Sequence, residues 1–257
     1  MSFLDALFLG ILQGLTEFLP VSSSGHLVLA QELVGVSDPG VAFEVVLHLG
    51  TLLSVLVFFR KQLFSLIASL YSKDMVQERR MVGYLILGTI PAGFVGLLFE
   101  DFFDRVFSNP ALTSVMLLVT GLLLFISRFF KSGRKEIGLP SALIMGVGQA
   151  LAIFPGISRS GSTIVAGMMT GVNPSKAAEF SFLLAIPAIG GAALLKAGEL
   201  LSLQSSLWGP YLLGLILSFV TGLGAVYAVL AAVRRGRFEF FAYYCFAVGL
   251  LGLYLFL

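Results

Sequence analysis

The residues best able to do chemistry in this 257-residue sequence are polar side chains set inside apolar segments. Gln13 and Glu17 are four residues apart, so on a helix they share one face. An ionisable carboxylate in such a segment is a candidate general base, metal ligand or orienter of a histidine. Glu17 could instead cap a neighbouring helix or join a structural ion pair, and Gln13 can only form hydrogen bonds.

A serine-rich segment, VSSSGH, follows directly after this pair and occupies residues 21–26. His26 comes three residues after Ser23, so on a helix the two side chains can approach one another. His26 would then activate the Ser23 hydroxyl, or a water in its place, to attack phosphorus, and His26 itself is the third candidate nucleophile. Ser22 and Gly25 are expected to bind the substrate, together with Gln13. Hydroxyls at a helix start are as often caps, which is the alternative for Ser22 and Ser24.

The other histidine of the sequence, His48, lies four residues after Glu44 in the apolar run FEVVLHLG. No comparable group of polar residues accompanies it in the sequence. We therefore expect structural roles for both His48 and Glu44.

A second polar segment, FPGISRSGSTI, covers residues 154–164 and contains Arg159. No other Lys or Arg lies in the apolar part of either segment, and such a location requires a compensating anion. The planar guanidinium matches phosphate oxygens, although an ion pair with Glu17 is a structural alternative. The neighbours that could donate to phosphate oxygens or cap a helix are Ser158, Ser160, Gly161 and Thr163.

The composition identifies the solvent in which these residues must be positioned. Hydrophobic residues make up 58% of the chain and charged residues 12%, about half the charged share of a soluble domain. This balance excludes a water-soluble globule and predicts an all-α, polytopic membrane helical bundle forming a single membrane domain over 1–257. The predicted spanning helices are 41–59, 82–99, 111–127, 177–195, 209–233 and 238–257.

Residues 3–36 and 139–172 differ from these six spans because Pro, Gly and Ser interrupt each apolar run midway. Each region is predicted to be a re-entrant hairpin, and an offset of 136 positions superposes the two without a gap. The matched pairs are Gly10 with Gly146, Gln13 with Gln149, Phe18 with Phe154, Ser22 with Ser158, Ser24 with Ser160, Gly25 with Gly161 and Gly35 with Gly171. This correspondence predicts two repeats, one over about 3–127 and the other over about 139–257.

Three spans separate the hairpins, so the second enters the membrane from the face opposite to the first. Such an inverted repeat predicts a binding site where the two broken helices meet, near the midplane. Each hairpin tip opens a new half-helix, and a helix N-terminus presents free N–H groups to an anion.

Charge placement predicts the orientation of the bundle. Most Lys and Arg residues fall in three loops, at 60–80, 128–135 and 234–237, which should be cytoplasmic. Both termini should then lie outside. The residues expected on that same outer side are Glu100, Asp101, Asp104, Lys196 and Glu199.

The motifs QGLTEFLPVSSSGH and FPGISRSGSTI resemble those of the undecaprenyl-diphosphate phosphatase family of the bacitracin-resistance type, and the similarity covers essentially the whole chain. In that family the first motif carries Glu or Gln, then Glu, Ser and His. The second motif carries the arginine. The matching residues here are Gln13, Glu17, Ser23, His26 and Arg159.

The resemblance implies hydrolysis of undecaprenyl diphosphate to undecaprenyl phosphate and inorganic phosphate, which recycles the lipid carrier for peptidoglycan synthesis and confers bacitracin resistance. It also implies a divalent cation, Mg²⁺ or Ca²⁺. Because position 13 is Gln, Glu17 is the motif carboxylate left to bind this metal, together with the substrate's own phosphates.

The expected location is the bacterial cytoplasmic (inner) membrane, with a site open to the outer face. The expected partners are the membrane and a polyprenyl diphosphate lipid substrate. No nucleic-acid partner is expected, and the sequence leaves open whether the protein forms a homodimer. The rival functions are an inverted-repeat transporter or flippase of an anionic lipid, and an intramembrane serine protease suggested by SSSGH.

Overall fold

The computed structural model describes residues 1–34, 41–99, 109–198 and 207–257, and they are predominantly helical. The α-helices are α1 (Phe3–Phe18), α2 (Ser23–Val34), α3 (Val41–Phe58), α4 (Arg60–Ser69), α5 (Val76–Leu98), α6 (Pro110–Ile126), α7 (Leu139–Leu151), α8 (Arg159–Met169), α9 (Pro174–Leu195), α10 (Trp208–Arg234) and α11 (Phe241–Phe256). Short 3-10 helices follow α6 and precede α11, at Ser127–Phe130 and Phe238–Phe240. Within these ranges the predicted all-α class is confirmed.

The described helices agree with the six predicted spans. Five are long and apolar enough to cross a bilayer, and α3 with α4 makes a sixth, bent by 77°. Because α5 begins at Val76, it is longer than the predicted 82–99 and includes a charged first turn. Large side chains on α5 face outward, with Ile86 60% and Phe94 63% exposed. Such apolar exposure identifies lipid as the surrounding solvent.

The two broken regions form helical hairpins whose arms are short. The arms α1, α2, α7 and α8 contain 16, 12, 13 and 11 residues, against about 20 for a span. Pro20 disfavours helix in the residue before it, and Ser22 turns the chain with a φ of 68°. Gly156, with a φ of 94°, makes the corresponding turn after Pro155. These lengths and breaks agree with the predicted re-entrant hairpins.

Each hairpin packs against a spanning helix from the other predicted repeat. A Cβ at Gly10 of α1 would lie 2.9 Å from the carbonyl oxygen of Gly214 on α10. A Cβ at Gly146 of α7 would lie 2.4 Å from the carbonyl oxygen of Gly88 on α5. Gly10 and Gly146 are the first pair matched by the offset of 136. The close contacts of the two hairpins are therefore equivalent, as an inverted repeat requires.

Two of the basic loops meet at one end of the bundle. Lys131 forms an ion pair with Glu239 and donates to the Gly236 carbonyl at 3.0 Å. The loops at 128–135 and 234–237 thus share a side, as predicted. The predicted outer-side residues Glu100, Asp101, Asp104 and Glu199, and the end of the first hairpin at 35–36, lie outside the described residues.

Candidate active site

The tips of the two hairpins touch one another, as the inverted repeat predicts. The Ser22 hydroxyl oxygen accepts from the backbone N–H of Gly156 at 3.1 Å and from that of Gly25 at 3.3 Å. A Cβ on Gly25 would lie 2.9 Å from Gly156 Cα, so only glycine permits this approach. Ser160 adds a hydrogen bond from its hydroxyl to the Leu19 carbonyl at 3.3 Å. Ser22 therefore both caps α2 and joins the two tips.

Glu17 is the centre of the polar cluster at this junction, and its side chain is only 6% exposed. Its Oε1 accepts a hydrogen bond from Arg159 Nη2 at 2.6 Å. Its Oε2 accepts from the Ser23 hydroxyl at 2.6 Å and from Gln13 Nε2 at 3.0 Å. The two motifs, 142 residues apart at the Glu17–Arg159 contact, are thereby brought together.

Arg159 is the first residue of α8, and its side chain is 15% exposed. The ion pair with Glu17, which the sequence offered as a structural alternative, is present, and a second contact runs from Nη1 to the Ser181 carbonyl at 3.5 Å. A guanidinium carries five N–H donors. Within the described part of the chain these two contacts leave further donors for phosphate oxygens, so the ion pair orients Arg159 without using all of its N–H groups.

The predicted contact between His26 and Ser23 is replaced by a different arrangement. His26 Nδ1–H donates to the Ser22 carbonyl at 2.8 Å, and its Nε2 accepts from the Tyr244 hydroxyl at 2.8 Å. The His26 ring also stacks on Tyr244, with ring centroids 5.5 Å apart. Nδ1 is thus occupied by the first tip and Nε2 by α11, while the Ser23 hydroxyl donates to Glu17. The expectation that Glu17 orients the His26 imidazole is likewise not met.

His48 is the histidine that lies beside Glu17. Its Nε2 is 3.7 Å from Glu17 Oε2, and its side chain is 31% exposed. Its Nδ1–H donates to the Glu44 carbonyl at 2.8 Å. Sequence reasoning assigned His48 a structural role because its neighbours along the chain are apolar. The signal that was available is the spacing of Glu44, His48 and Thr51, three polar residues on one side of an apolar helix.

The predicted phosphate donors of the second tip are buried and engaged within the protein. Ser158 caps α8 by accepting from the Gly161 N–H at 3.1 Å. Its hydroxyl lies 3.2 Å from that of Ser160. The Thr163 hydroxyl lies 2.6 Å from that of Ser181 and so ties α8 to α9. These contacts position Arg159, and substrate binding by these residues stays a prediction.

The resemblance implies a divalent cation, and the side chains around Glu17 can be compared with the ligands that such a cation requires. No group of three His, Cys, Asp or Glu side chains suited to a metal occurs among the described residues. However, Gln13 Oε1, on the same amide that contacts Glu17, is buried and has no hydrogen-bond partner in the described ranges. A carboxylate and an amide oxygen are the hard donors that Mg²⁺ and Ca²⁺ prefer. The pair fits a cation whose remaining ligands come from a diphosphate.

Comparison with known proteins covers almost the whole chain. A family model described as "Bacitracin resistance protein BacA" matches residues 6–251. A protein of Syntrophotalea carbinolica named "Undecaprenyl-diphosphatase" is 48% identical over 255 residues, 97% of each chain. Proteins of the same name from Halothermothrix orenii and Salinibacter ruber are 44% and 40% identical, covering 98% and 99% of this chain and 97% and 100% of their own lengths. The chain belongs to the BacA bacitracin-resistance family.

Proposed function

We infer that this membrane protein hydrolyses undecaprenyl diphosphate to undecaprenyl phosphate and inorganic phosphate. Family membership and the shared name of its relatives support this activity over the transporter alternative. The single observation that carries the chemistry is the buried contact of Ser23 and Arg159 with the two oxygens of Glu17. This set combines a nucleophile, a base and a cation at the junction of two helix N-termini.

In the proposed mechanism, the diphosphate lies at the junction of the hairpin tips with Arg159 neutralising its charge. Phosphoryl transfer depends mainly on positioning and on stabilisation of charge. The Ser23 oxygen attacks the terminal phosphorus while its proton passes to Glu17, to which the hydroxyl already donates at 2.6 Å. Undecaprenyl phosphate leaves with that proton, and water then hydrolyses the phosphoserine. Direct attack by water, with Glu17 as base, is the variant without a covalent intermediate.

His26 has a positioning role in this proposal. Its bonds to the Ser22 carbonyl and the Tyr244 hydroxyl hold the first tip against α11. Ser22 in turn contacts Gly156 of the other tip. Loss of His26 would therefore disturb the placement of Ser23 through the turn, without removing the base.

The divalent cation remains part of the proposal, with Glu17 and Gln13 Oε1 as its protein ligands and the diphosphate supplying the others. When bound, the cation would neutralise charge on the phosphate oxygens. In this scheme Arg159 orients the diphosphate, and Glu17 accepts and returns the proton.

The proposed setting is a bacterial cytoplasmic membrane, with the site open to the outer face and both termini outside. The positive residues of the loops at 60–80, 128–135 and 234–237 support a cytoplasmic location for those loops. Release of undecaprenyl phosphate there would recycle the lipid carrier for cell-wall synthesis. A homodimer and the absence of a nucleic-acid partner stay predictions.

The activity can be tested with protein purified in detergent. Phosphate release from undecaprenyl diphosphate should be readily measured for the unmodified protein and lost in Ser23→Ala. Ser24→Ala is the matched control, because among the described residues the Ser24 hydroxyl contacts that of Ser22, at 3.4 Å, rather than Glu17. A phosphoenzyme trapped on Ser23 would identify the covalent route. An unmodified protein that releases no phosphate would exclude the proposed function.

A further inference from the structure

The surroundings of His48 fix which of its ring nitrogens faces the cluster. Nδ1 lies 2.8 Å from the Glu44 carbonyl, which can only accept, so the ring hydrogen of neutral His48 is on Nδ1. Nε2 is then an acceptor, and it points toward Glu17 Oε2. This orientation is set by the helix backbone itself, because Glu44 is one turn before His48.

In the neutral form of His48, two acceptors, His48 Nε2 and Glu17 Oε2, lie 3.7 Å apart. That separation is too long for a direct hydrogen bond and matches a polar contact bridged by one water. A water at about 2.8 Å from each atom can donate one hydrogen to each of them. His48 is 31% exposed and Glu17 6%, so the cluster is less deeply buried at His48 than at Glu17.

The hydrogen bonds that Glu17 accepts change during turnover in a way that favours such a water. In the structure Oε2 accepts from both Ser23 and Gln13. A phosphorylated Ser23 has no hydroxyl hydrogen to donate, so one acceptor position on Oε2 becomes free. A water bound between Oε2 and His48 would then lie next to the phosphoserine.

We propose that His48 is a further catalytic residue, which together with Glu17 holds the water that attacks phosphorus. The water oxygen bonds to phosphorus as the bond from phosphorus to the Ser23 oxygen breaks. One hydrogen of the water passes to Glu17 and from there to the Ser23 oxygen, while the other stays hydrogen-bonded to His48 Nε2. This inference rests on the proposed function, in its covalent form.

Methanol distinguishes this role from a structural one, because it has a single O–H and can use Glu17 without His48. Purified protein is given undecaprenyl diphosphate with a fixed amount of added methanol, and inorganic phosphate and methyl phosphate are both measured. His48→Ala should raise the ratio of methyl phosphate to inorganic phosphate by about tenfold, the rate equivalent of one hydrogen bond. His48→Gln, whose amide oxygen can accept, should give a smaller rise.

His26→Ala is the matched control, since His26 bonds to Tyr244 and Ser22 and should leave the ratio unchanged even where the total rate falls. Size-exclusion chromatography checks that each variant is folded. An unchanged ratio in both folded His48 variants would overturn the inference, because a structural role lowers both products together. Unmodified protein that forms neither product would overturn the proposed function as well, so the two failures are distinguished.

Discussion

Glu17 receives hydrogen bonds from three side chains on three separate helices: Gln13 on α1, Ser23 on α2 and Arg159 on α8. Replacing it with glutamine keeps the shape and removes the ability to take a proton. We expect Glu17→Gln to lower the rate of phosphate release by at least about 10²-fold, as expected for loss of a general base. Glu44→Gln is the control carboxylate, because Glu44 contacts Gln31 on the neighbouring α2. Near-normal activity of Glu17→Gln would remove Glu17 from the mechanism.

The ion pair between Arg159 and Glu17 makes the arginine important for stability as well as for catalysis. Removing one partner of a buried pair leaves the other charge uncompensated and typically costs about 3–5 kcal/mol. Arg159→Ala should therefore abolish turnover and lower the thermal unfolding temperature. The double variant Arg159→Ala with Glu17→Gln should unfold at a higher temperature than Arg159→Ala alone. Additive effects of the two changes would contradict the pairing.

Gln13 provides a test of the divalent cation. Replacement by glutamate places a second carboxylate beside Glu17, at the amide oxygen that has no hydrogen-bond partner among the described residues. We expect Gln13→Glu to lower the Mg²⁺ concentration needed for half-maximal activity, and chelator to abolish activity in both proteins. Gln13→Leu, which has no ligand atom, should shift that concentration the other way. Activity that persists in chelator would remove the cation from the proposal.

The two motifs lie together as predicted, whereas the predicted approach of the His26 side chain to Ser23 was wrong. The sequence placed Glu17, Ser23 and Arg159 in one cluster, and the structure joins them. Spacing along a helix predicts which Cβ atoms are near, but it does not predict which way an imidazole turns. His26 turned to Tyr244, and His48 reached Glu17 through packing of α3 against α1, which no linear pattern records.

At the element scale, the glycines that join hairpins to spans are the most sensitive contacts. A methyl group at Gly146 would lie 2.4 Å from the Gly88 backbone, so α7 and α5 would have to separate. We expect Gly146→Ala to destabilise the protein by about 1–3 kcal/mol, measured by thermal unfolding in detergent. Gly93→Ala is the matched control on α5, since no atom of the described residues lies within 4 Å of its added methyl. Equal unfolding temperatures for the two variants would refute the close packing.

Apolar length predicted the spanning helices well but their ends and bends poorly. Composition locates the part of a helix that sits in hydrocarbon, and the charged first turn of α5 continues that helix into water. The 77° bend between α3 and α4 follows Phe58, where Arg60 and Lys61 begin a helix of much lower hydrophobicity. Hydropathy along the sequence carries no information about the angle between successive helices, so this bend could not be predicted.

For the whole molecule, the orientation in the membrane is directly testable. Cys245 is the single cysteine and is fully buried, so the background of thiol labelling should be low. We expect a membrane-impermeant maleimide to label Ser2→Cys in intact cells, and to label Lys73→Cys, Arg134→Cys and Arg237→Cys only after permeabilisation. The opposite pattern would invert the proposed topology and move the site's opening to the cytoplasm.

The correspondence between the two hairpin tips was visible in the sequence because both tips kept matching polar and glycine residues at one offset. The exchange of packing partners between the repeats was not predictable, since the spanning helices share only apolar character. It became visible through the equivalent contacts of Gly10 with Gly214 and Gly146 with Gly88.

Because each hairpin packs against a helix of the other repeat, the order of synthesis limits when the site can assemble. The first hairpin emerges early, yet its packing helix α10 begins at Trp208 and its counter-charge is at Arg159. Until those later segments are inserted, the carboxylate of Glu17 has no guanidinium beside it, and α1 lacks the α10 helix against which it packs. The amino-terminal half alone cannot form the centre, so activity should appear only when nearly the entire polypeptide has entered the bilayer.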